Sequence, residues 1–495
     1  MLKILNTLSG EKEPFTPIEP NKAGIYTCGP TVYGAPHIGN LRAYIFSDTL
    51  RRTLEYLGYE VKQIINITDV GHLVGDTDSG EDKLEKGART AGKTVWEMAR
   101  GYEAEFIGAL KKLNVEMPGA LPRATEHIRE QLAMIKTLSS KGFTYETSDG
   151  IYFDTSKFKD YGRLSGQRLE EKEAGARVEI KEEKKHPADF ALWKLCVGDN
   201  FNHTMRWDFE SGEDLSAAPH LSEEENRAKK IGFPGWHIEC SAMSVKYLGE
   251  RFDIHTGGVD HIPVHHENEI AQSEAALGHP FVNYWMHNEF ILVDGGKMSK
   301  SLGNTYTLAD LKEKWGISPM VFRYFCLGAH YRSKLNFTKE SIEAAQNGYL
   351  RLLVRIIELR QTAVSPISES DQEKLVKERA RSFEDAISDD LNTPKALAVA
   401  FDTLRDNTLS SESKLRLVGK FDTILGLNLM EESQKEFIKT RIDDKLDAAA
   451  IKLSEEREEA RKIKDFAKAD EIRDQLASLG YLVEDTPEGP RVTKI

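Results

Sequence analysis

Near the N-terminus a short unbroken apolar run, Gly24-Ile25-Tyr26-Thr27-Cys28, stops at a Gly-Pro break, the pattern of a buried strand. Leu41, Tyr44, Ile45, Leu50, Leu54 and Leu57 then recur at helical spacing, and Gly58 ends the pattern. Val61 to Ile67 reads as a second strand. This predicts a strand-turn-helix-strand unit, parallel and right-handed, whose ligands sit at the carboxyl ends of the strands near the helix N-terminus. From Thr338 onward the spacing is helical. Leu350, Leu353, Ile356 and Ile357 form one apolar stripe, and Ile463, Phe466, Ile472, Leu476 and Leu479 form another; both read as core. Gly480 ends the last helix, and Tyr481-Leu482-Val483 followed by Asp485-Thr486-Pro487-Glu488-Gly489 reads as a strand and turn.

Chemistry enters at the first turn. His37-Ile38-Gly39-Asn40 falls where the strand hands over to the helix. Gly39 allows close approach of an adenine or phosphate, and His37 can donate to phosphate oxygens. Such a tetrapeptide alone is more often a turn with a satisfied histidine. Far downstream, Lys297-Met298-Ser299-Lys300-Ser301 is flanked by Gly295-Gly296 and Gly303, as a mobile phosphate lid would be. Lys297 and Lys300 can neutralise charge building on pyrophosphate. The pairing of the two segments favours the functional reading over a solvated charged loop.

Cys28 and Cys240 are more than 200 residues apart, which excludes a finger-type spacing. His265 and Glu269 lie four apart, on one face if that segment is helical. Two thiolates, an imidazole and a carboxylate make a tetrahedral zinc shell chemically reasonable. His261 and His266 are neighbours that could be mistaken for the histidine ligand. A buried structural thiol is the usual fate of cysteine and is the reading for Cys196 and Cys326.

At 495 residues the chain has room for about three domains. Its net charge of −13, from 67 basic and 80 acidic residues, is not the bulk signature of a nucleic-acid binder, although a local basic face would suffice for one. No apolar run approaches a membrane span and no secretory leader is apparent, so no membrane role is expected. Four cysteines do not make a disulfide framework, and a cytoplasmic location is expected.

Taken together, the segments resemble the cysteinyl-tRNA synthetases, a class I aminoacyl-tRNA synthetase family. The resemblance is carried by Cys28-Gly29-Pro30-Thr31-Val32-Tyr33, Asn66-Ile67-Thr68-Asp69, His186-Pro187-Ala188-Asp189-Phe190-Ala191-Leu192-Trp193-Lys194, Pro234-Gly235-Trp236-His237-Ile238-Glu239-Cys240, His265-His266-Glu267-Asn268-Glu269-Ile270 and the lysine-rich lid, in family order. It implies an α/β Rossmann-type catalytic domain split by a connective-peptide insertion, then a helical bundle and a small mixed anticodon-binding domain. The corresponding boundaries are 1–125 and 232–296 for the catalytic halves, 126–231 for the insertion, 297–337 for the lid and stem-contact region, 338–430 for the bundle and 431–495 for the anticodon-binding domain. The insertion is too short to hold a large editing domain.

The resemblance further implies ATP-dependent activation of L-cysteine and its transfer to the 3′ end of tRNA(Cys), with Mg2+ accompanying ATP. One zinc ion per chain, on Cys28, Cys240, His265 and Glu269, would select the substrate thiolate. His37, Asn40, Lys297 and Lys300 match catalytic positions. His37, Asn40, Gly257, Gly258, Asp260 and Lys300 match the ATP site, and Thr68 and Trp236 match the cysteine pocket. A monomer is the favoured oligomeric state. Arg457, Arg461, Lys462, Lys464 and Lys468 either face tRNA phosphates or pair with neighbouring glutamates.

Departures from the family pattern are local. Asn40 stands in place of the second histidine of the archetypal motif, and asparagine can still donate. After Asp69 the usual Ile-Asp-Asp-Lys is absent, replaced by a Gly/Asp-rich stretch through Asp82. A polar segment from about Cys196 to Lys230 looks inserted and reads as a surface loop. Three rivals remain: a cysteine ligase acting on an amino sugar, which would lack the C-terminal region; a silent RNA-binding relative, disfavoured by the lid lysines and the zinc-type residues; and a general nucleotidyltransferase, which would not need Trp236-His237-Ile238-Glu239-Cys240.

Overall fold

The computed structural model describes residues 1–71, 73, 80–167, 183–299, 302–361, 369–434, 448–463, 465–486 and 489–494. The chain divides into two compact units: Met1–Pro319 with Ala329–Phe337 and Ala386–Thr393, and Met320–Gly328 with Thr338–Asp385 and Pro394–Ile495.

The first unit opens with an antiparallel hairpin, β1 (Lys3–Asn6) and β2 (Glu11–Pro14). β3 (Lys22–Thr27) and β4 (Glu60–Ile65) follow, parallel and joined by the helix Ile38–Tyr56, as the apolar spacing predicts. Helices Lys83–Ala91, Val95–Lys112 and Ile128–Ser140 lead into an antiparallel sheet. Its strands are β5 (Thr144–Thr147), β6 (Gly150–Phe153), β7 (Phe190–Leu195), β8 (Trp207–Asp208) and β9 (Ile231–Pro234), in the order β5-β6-β7-β9-β8. The chain then returns with β10 (Phe252–Gly258) and β11 (Val282–Asn288) to complete a four-stranded parallel sheet, β11-β10-β3-β4. Strands covered on both faces need apolar residues at successive positions, and Ile25, Tyr26, Ile64, Ile65 and Ile254 are all fully buried there. A small sheet of β12 (Ile291–Val293), β13 (Gly296–Lys297) and β14 (Leu335–Phe337) carries the lid region.

The polar stretch 196–230 meets the surface-loop expectation only in part: 210–225 is exposed or half-exposed, while the segment before it is built into the sheet. It contributes β8, and His203, Arg206, Trp207, Phe209 and Asn226 are buried. Hydrogen bonds satisfy several of its buried polar groups. Arg206 donates to the carbonyls of His203 and Thr204 at 3.4 and 3.5 Å, and Asn226 Nδ2 donates to the Cys196 carbonyl at 2.8 Å.

Among its described residues, the second unit is mostly helical up to a terminal hairpin. Its helices include Lys339–Gln361, Ser411–Leu425, Ala448–Lys462 and Phe466–Ser478, and β15 (Tyr481–Thr486) pairs antiparallel with β16 (Gly489–Lys494). Leu353, Ile356 and Ile357 are buried as the first stripe predicts. The second stripe is only partly core. Ile472 and Leu476 pack with Leu453, Tyr481 and Val483, whereas Ile463, Phe466 and Leu479 are exposed. The helix is broken around Asp465, so Ile463 precedes the turn and Phe466 starts a new helix, off the buried face. Arg457 is 1 % exposed, so it does not offer its charge to phosphates.

Candidate active site and metal centre

Strand order reverses at the β3/β10 boundary: the connection from β3 runs to β4 on one side, while β10 returns on the other. In open parallel sheets this is where a crevice opens beyond the carboxyl ends of the strands. Several of the predicted functional residues lie there. Cys28 follows the last residue of β3 and its N–H donates to the Thr256 carbonyl on β10 at 3.1 Å. Asn66 and Thr68 follow β4, and Gly257 and Gly258 end β10. A Cβ on Gly257 would lie 2.6 Å from the His266 ring and 2.7 Å from His261 Nδ1, so this position has room for glycine alone.

The helix Trp236–Leu248 carries Cys240, and a five-residue π-type turn, Ile262–His266, runs into the helix Glu267–Leu277, placing His265 and Glu269. Cys28, Cys240, His265 and Glu269 each point one donor atom into a common volume, all four atoms within 4.8 Å of one another, and all four side chains are buried. His265 Nε2 lies 3.1 Å from Glu269 Oε1, and Cys28 Sγ lies 3.8 Å from the same oxygen. Bond lengths of about 2.0–2.3 Å to a tetrahedral metal require donor separations of roughly 3.3–3.8 Å, so the set is close to that geometry. His237 Nδ1 meets His265 Nδ1 at 3.0 Å, which leaves Nε2 facing the tetrad. Trp236, half-buried, stacks on the His265 ring at 4.6 Å.

The electrostatics match a cation site. Burial alone would keep both thiols protonated, and it pushes Cys28 well above the usual thiol range. At Cys240 burial is outweighed by hydrogen bonding from the Cys28 thiol and by His265, which bring it down to about 6. Burial likewise opposes ionisation of Glu269, but His255 and His265 hold it near 2. His265 is raised to about 10 against burial by Glu269 and Cys240. The protein groups alone therefore favour two anions around one shared positive charge, which a dication on the same donors would replace.

A second donor set, Cys28, His255, His266 and Glu269, overlaps the first and shares two of its members. His266 Nε2 is 3.1 Å from Cys28 Sγ, while its Nδ1 is 2.7 Å from His287 Nε2. His255 Nε2 lies 3.1 Å from Glu269 Oε2. Only the first set supplies two sulfurs, the combination zinc prefers. Sequence reasoning missed His255, His287 and Glu239. A fully buried strand histidine such as His255 demands a partner, but its burial is not visible in a run that also holds Asp253 and Thr256.

Thr68 lies beside this volume. Its Oγ1 donates to Glu239 Oε2 at 2.8 Å and accepts from Asn66 Nδ2 at 3.1 Å, and Asn66 Oδ1 accepts the Gly29 N–H at 2.7 Å. A Cβ on Gly29 would fall 1.5 Å from the Asn66 carbonyl oxygen, so that glycine is sterically required.

His37 and Asn40 form a reciprocal cap on the helix Ile38–Tyr56. His37 Nδ1 accepts the Asn40 N–H and Asn40 Oδ1 accepts the His37 N–H, each at 3.4 Å. An accepting Nδ1 leaves the ring proton on Nε2. The lid reaches the same turn: Met298 Sδ would lie 3.5 Å from a Cβ on Gly39, and the Ile38 N–H donates to the Tyr306 carbonyl at 2.8 Å. Asn304 staples the lid backbone, accepting from Ser299 N at 2.8 Å and donating to the Lys297 carbonyl at 3.1 Å. Lys297 is exposed on β13. Lys300 lies outside the described residues. Asp260 sits on a short turn, Val259–His261, directly beyond β10.

A family model described as "tRNA synthetases class I (C) catalytic domain" matches residues 14–212 and 224–347, a DALR domain matches 382–429, and a cysteinyl-tRNA ligase anticodon binding domain matches 443–491. Curated relatives include a cysteine--tRNA ligase of Treponema denticola, 44% identical over 98% of each chain, and one of Thermus thermophilus, 43% identical over 99% of this chain and 98% of that one. Among solved structures, Mycobacterium tuberculosis methionyl-tRNA synthetase in complex with methionyl-adenylate is similar in fold with a TM-score of 0.56 at 15% identity, covering 86% of this chain and 94% of that one. With its catalytic, DALR and anticodon-binding matches and its full-length relatives, the chain belongs to the cysteine--tRNA ligase family of class I aminoacyl-tRNA synthetases.

Proposed function

We propose that this chain activates L-cysteine with ATP, releasing pyrophosphate, and transfers the cysteinyl group from the adenylate to the 3′ end of tRNA(Cys). The observation that carries the reading is the buried Cys28, Cys240, His265, Glu269 tetrad at the switch point of the parallel sheet, where Cys28 and the His37–Asn40 turn both follow the strand β3. In this reading the tetrad holds zinc. Zinc bound there would lower the pKa of the substrate thiol and hold it as thiolate, a preference that a serine hydroxyl does not meet.

The chain's own groups have distinct tasks. Trp236 and Thr68 wall the cysteine pocket. His37, through its Nε2 proton, donates to phosphate oxygens, while Asn40 fixes the ring by the cap described above. Gly257 and Gly258 let the adenosine approach the end of β10, and Asp260 lies beside that approach. Lys297 and Lys300 neutralise the departing pyrophosphate, with Mg2+ accompanying ATP. The matched region 443–491 favours tRNA over an amino sugar as the acceptor.

The test is pyrophosphate exchange with cysteine and with serine, followed by charging of purified tRNA. Exchange with cysteine far exceeding exchange with serine, and charging of tRNA(Cys), are expected. Equal exchange with serine would remove the thiolate-selecting site, and exchange without charging would remove tRNA as the acceptor.

A further inference from the structure

After Pro319 the chain enters the second unit, and it returns to the first unit twice, over Ala329–Phe337 and over Ala386–Thr393. Both returns meet at one carboxylate. Asp390 Oδ1 accepts the Tyr331 hydroxyl at 2.6 Å and the Leu5 N–H at 2.9 Å. Asp390 Oδ2 takes a two-pronged ion pair from Arg332, Nε at 2.8 Å and Nη2 at 2.7 Å. Its own N–H donates to the Lys3 carbonyl at 2.9 Å. The residue is fully buried, and Leu391 beside it joins the apolar cluster that includes Leu2, Ile4, Phe46 and Tyr331.

The backbone here is held in a conformation it would not choose. Asp390 and Leu391 have φ of +59° and +53°, the left-handed region that side chains disfavour. Such a pair persists only where surrounding contacts over-determine it, and strain of this kind concentrates at sites with a job. The contacts lead on to the helix that begins at the His37 turn. Tyr331 stacks on Phe46 at 4.5 Å and 17°, and Arg42 donates to the Phe290 and Ser333 carbonyls at 2.7 and 2.6 Å.

We propose that Asp390 is a positioning residue for the transfer of cysteine to tRNA, clasping the two returning segments to each other and to the catalytic unit. The proposal rests on the function given above. Adenylate formation uses groups at the carboxyl edge of the parallel sheet, and Asp390 touches none of them. Charging asks more. One nucleic acid must be held by residues of the matched C-terminal regions while its 3′ end reaches the sheet edge. The peptide links between those tasks include Phe337–Thr338, Asp385–Ala386 and Thr393–Pro394, each at an end of a clasped segment. Asp390 reaches the catalytic helix through Tyr331 on Phe46, more than two turns beyond His37, so loosening the clasp releases these links and leaves the His37 turn in place.

The test uses the full chain carrying Asp390→Asn, which keeps an acceptor for Leu5 and Tyr331 but removes the charge facing Arg332. Tyr331→Phe, which deletes a single donor, serves as a milder second variant. Cysteine-dependent pyrophosphate exchange is expected to stay within twofold of the parent, while kcat/KM for tRNA charging falls at least tenfold in Asp390→Asn and less in Tyr331→Phe. Charging at the parental rate in both variants would overturn the proposal. So would a parallel fall of exchange and charging, which would make Asp390 a support of the whole fold. A parent that exchanges but does not charge removes the proposed function, and this role with it.

Discussion

Burial opposes ionisation at both Cys240 and Asp69, and their neighbours decide the opposite outcomes. Cys240 sits among groups that favour its anion, so it is primed to bind a cation, and Cys240→Ser should strip most of the metal from the purified protein. Metal analysis of parent and variant side by side decides this, and full retention by the variant would sink the assignment. At Asp69 the support is weaker than the burial it opposes. Burial dominates and raises its carboxyl to about 6, although Thr125 donates both its N–H, at 3.0 Å, and its hydroxyl, at 2.7 Å. A carboxyl whose folded pKa exceeds its unfolded value near 3.8 holds a proton that the unfolded chain has released. Stability is therefore expected to fall as pH rises from about 4 to about 6 and to level off above that, by on the order of 2–3 kcal/mol from this group. Asp69→Asn cannot ionise and should lose that slope. Denaturation midpoints of the two proteins across this window test it, and identical pH dependence would refute the account.

The elements that could be read from spacing were those with one clear buried face. The Ile38–Tyr56 helix follows from Leu41, Tyr44, Ile45, Leu50 and Leu54, and its capping pair explains how asparagine serves at position 40. The buried part of the 196–230 stretch could not be read, because its burial rests on Arg206, His203 and Asn226 finding partners, and partners are not visible in apolar periodicity. The stripe through Phe466 was misread for a related reason: helical spacing was counted across a turn that starts a new helix at Phe466. At 60 % exposed, Phe466 contributes little to the core. An exposed aromatic residue in a region matched to anticodon binding is suited to stacking on a base, worth about 1–3 kcal/mol. Phe466→Ala should leave the melting temperature unchanged and weaken tRNA binding roughly tenfold, with pyrophosphate exchange untouched. A binding titration at fixed salt checks this; unaltered affinity would remove the stacking role.

At the scale of the whole chain, the parallel sheet and the order of the motifs were legible, but the convergence of the site was not. Nothing in the spacing of Cys28 and Cys240 places them together; that follows from β10 returning beside β3. Of the histidines around Glu269, His265 and His266 were legible in the sequence, whereas His255 comes into reach only through β10. The division of labour can be tested by truncation. Removing residues 431–495 should leave cysteine-dependent exchange largely intact and cut tRNA charging by orders of magnitude, since the acceptor end alone offers too few contacts to fix the register of the tRNA. A folded truncated chain that charges as well as the full one would refute this. The strand order also sets a schedule for synthesis. Cys28 emerges on a strand whose neighbour on one side, Phe252–Gly258, is made more than 200 residues later. At about 5–20 residues per second that interval lasts roughly 10–40 s. For all of it the first thiol of the tetrad waits beside an unpaired strand edge, so the growing chain must keep that cysteine reduced before it has anything to bind.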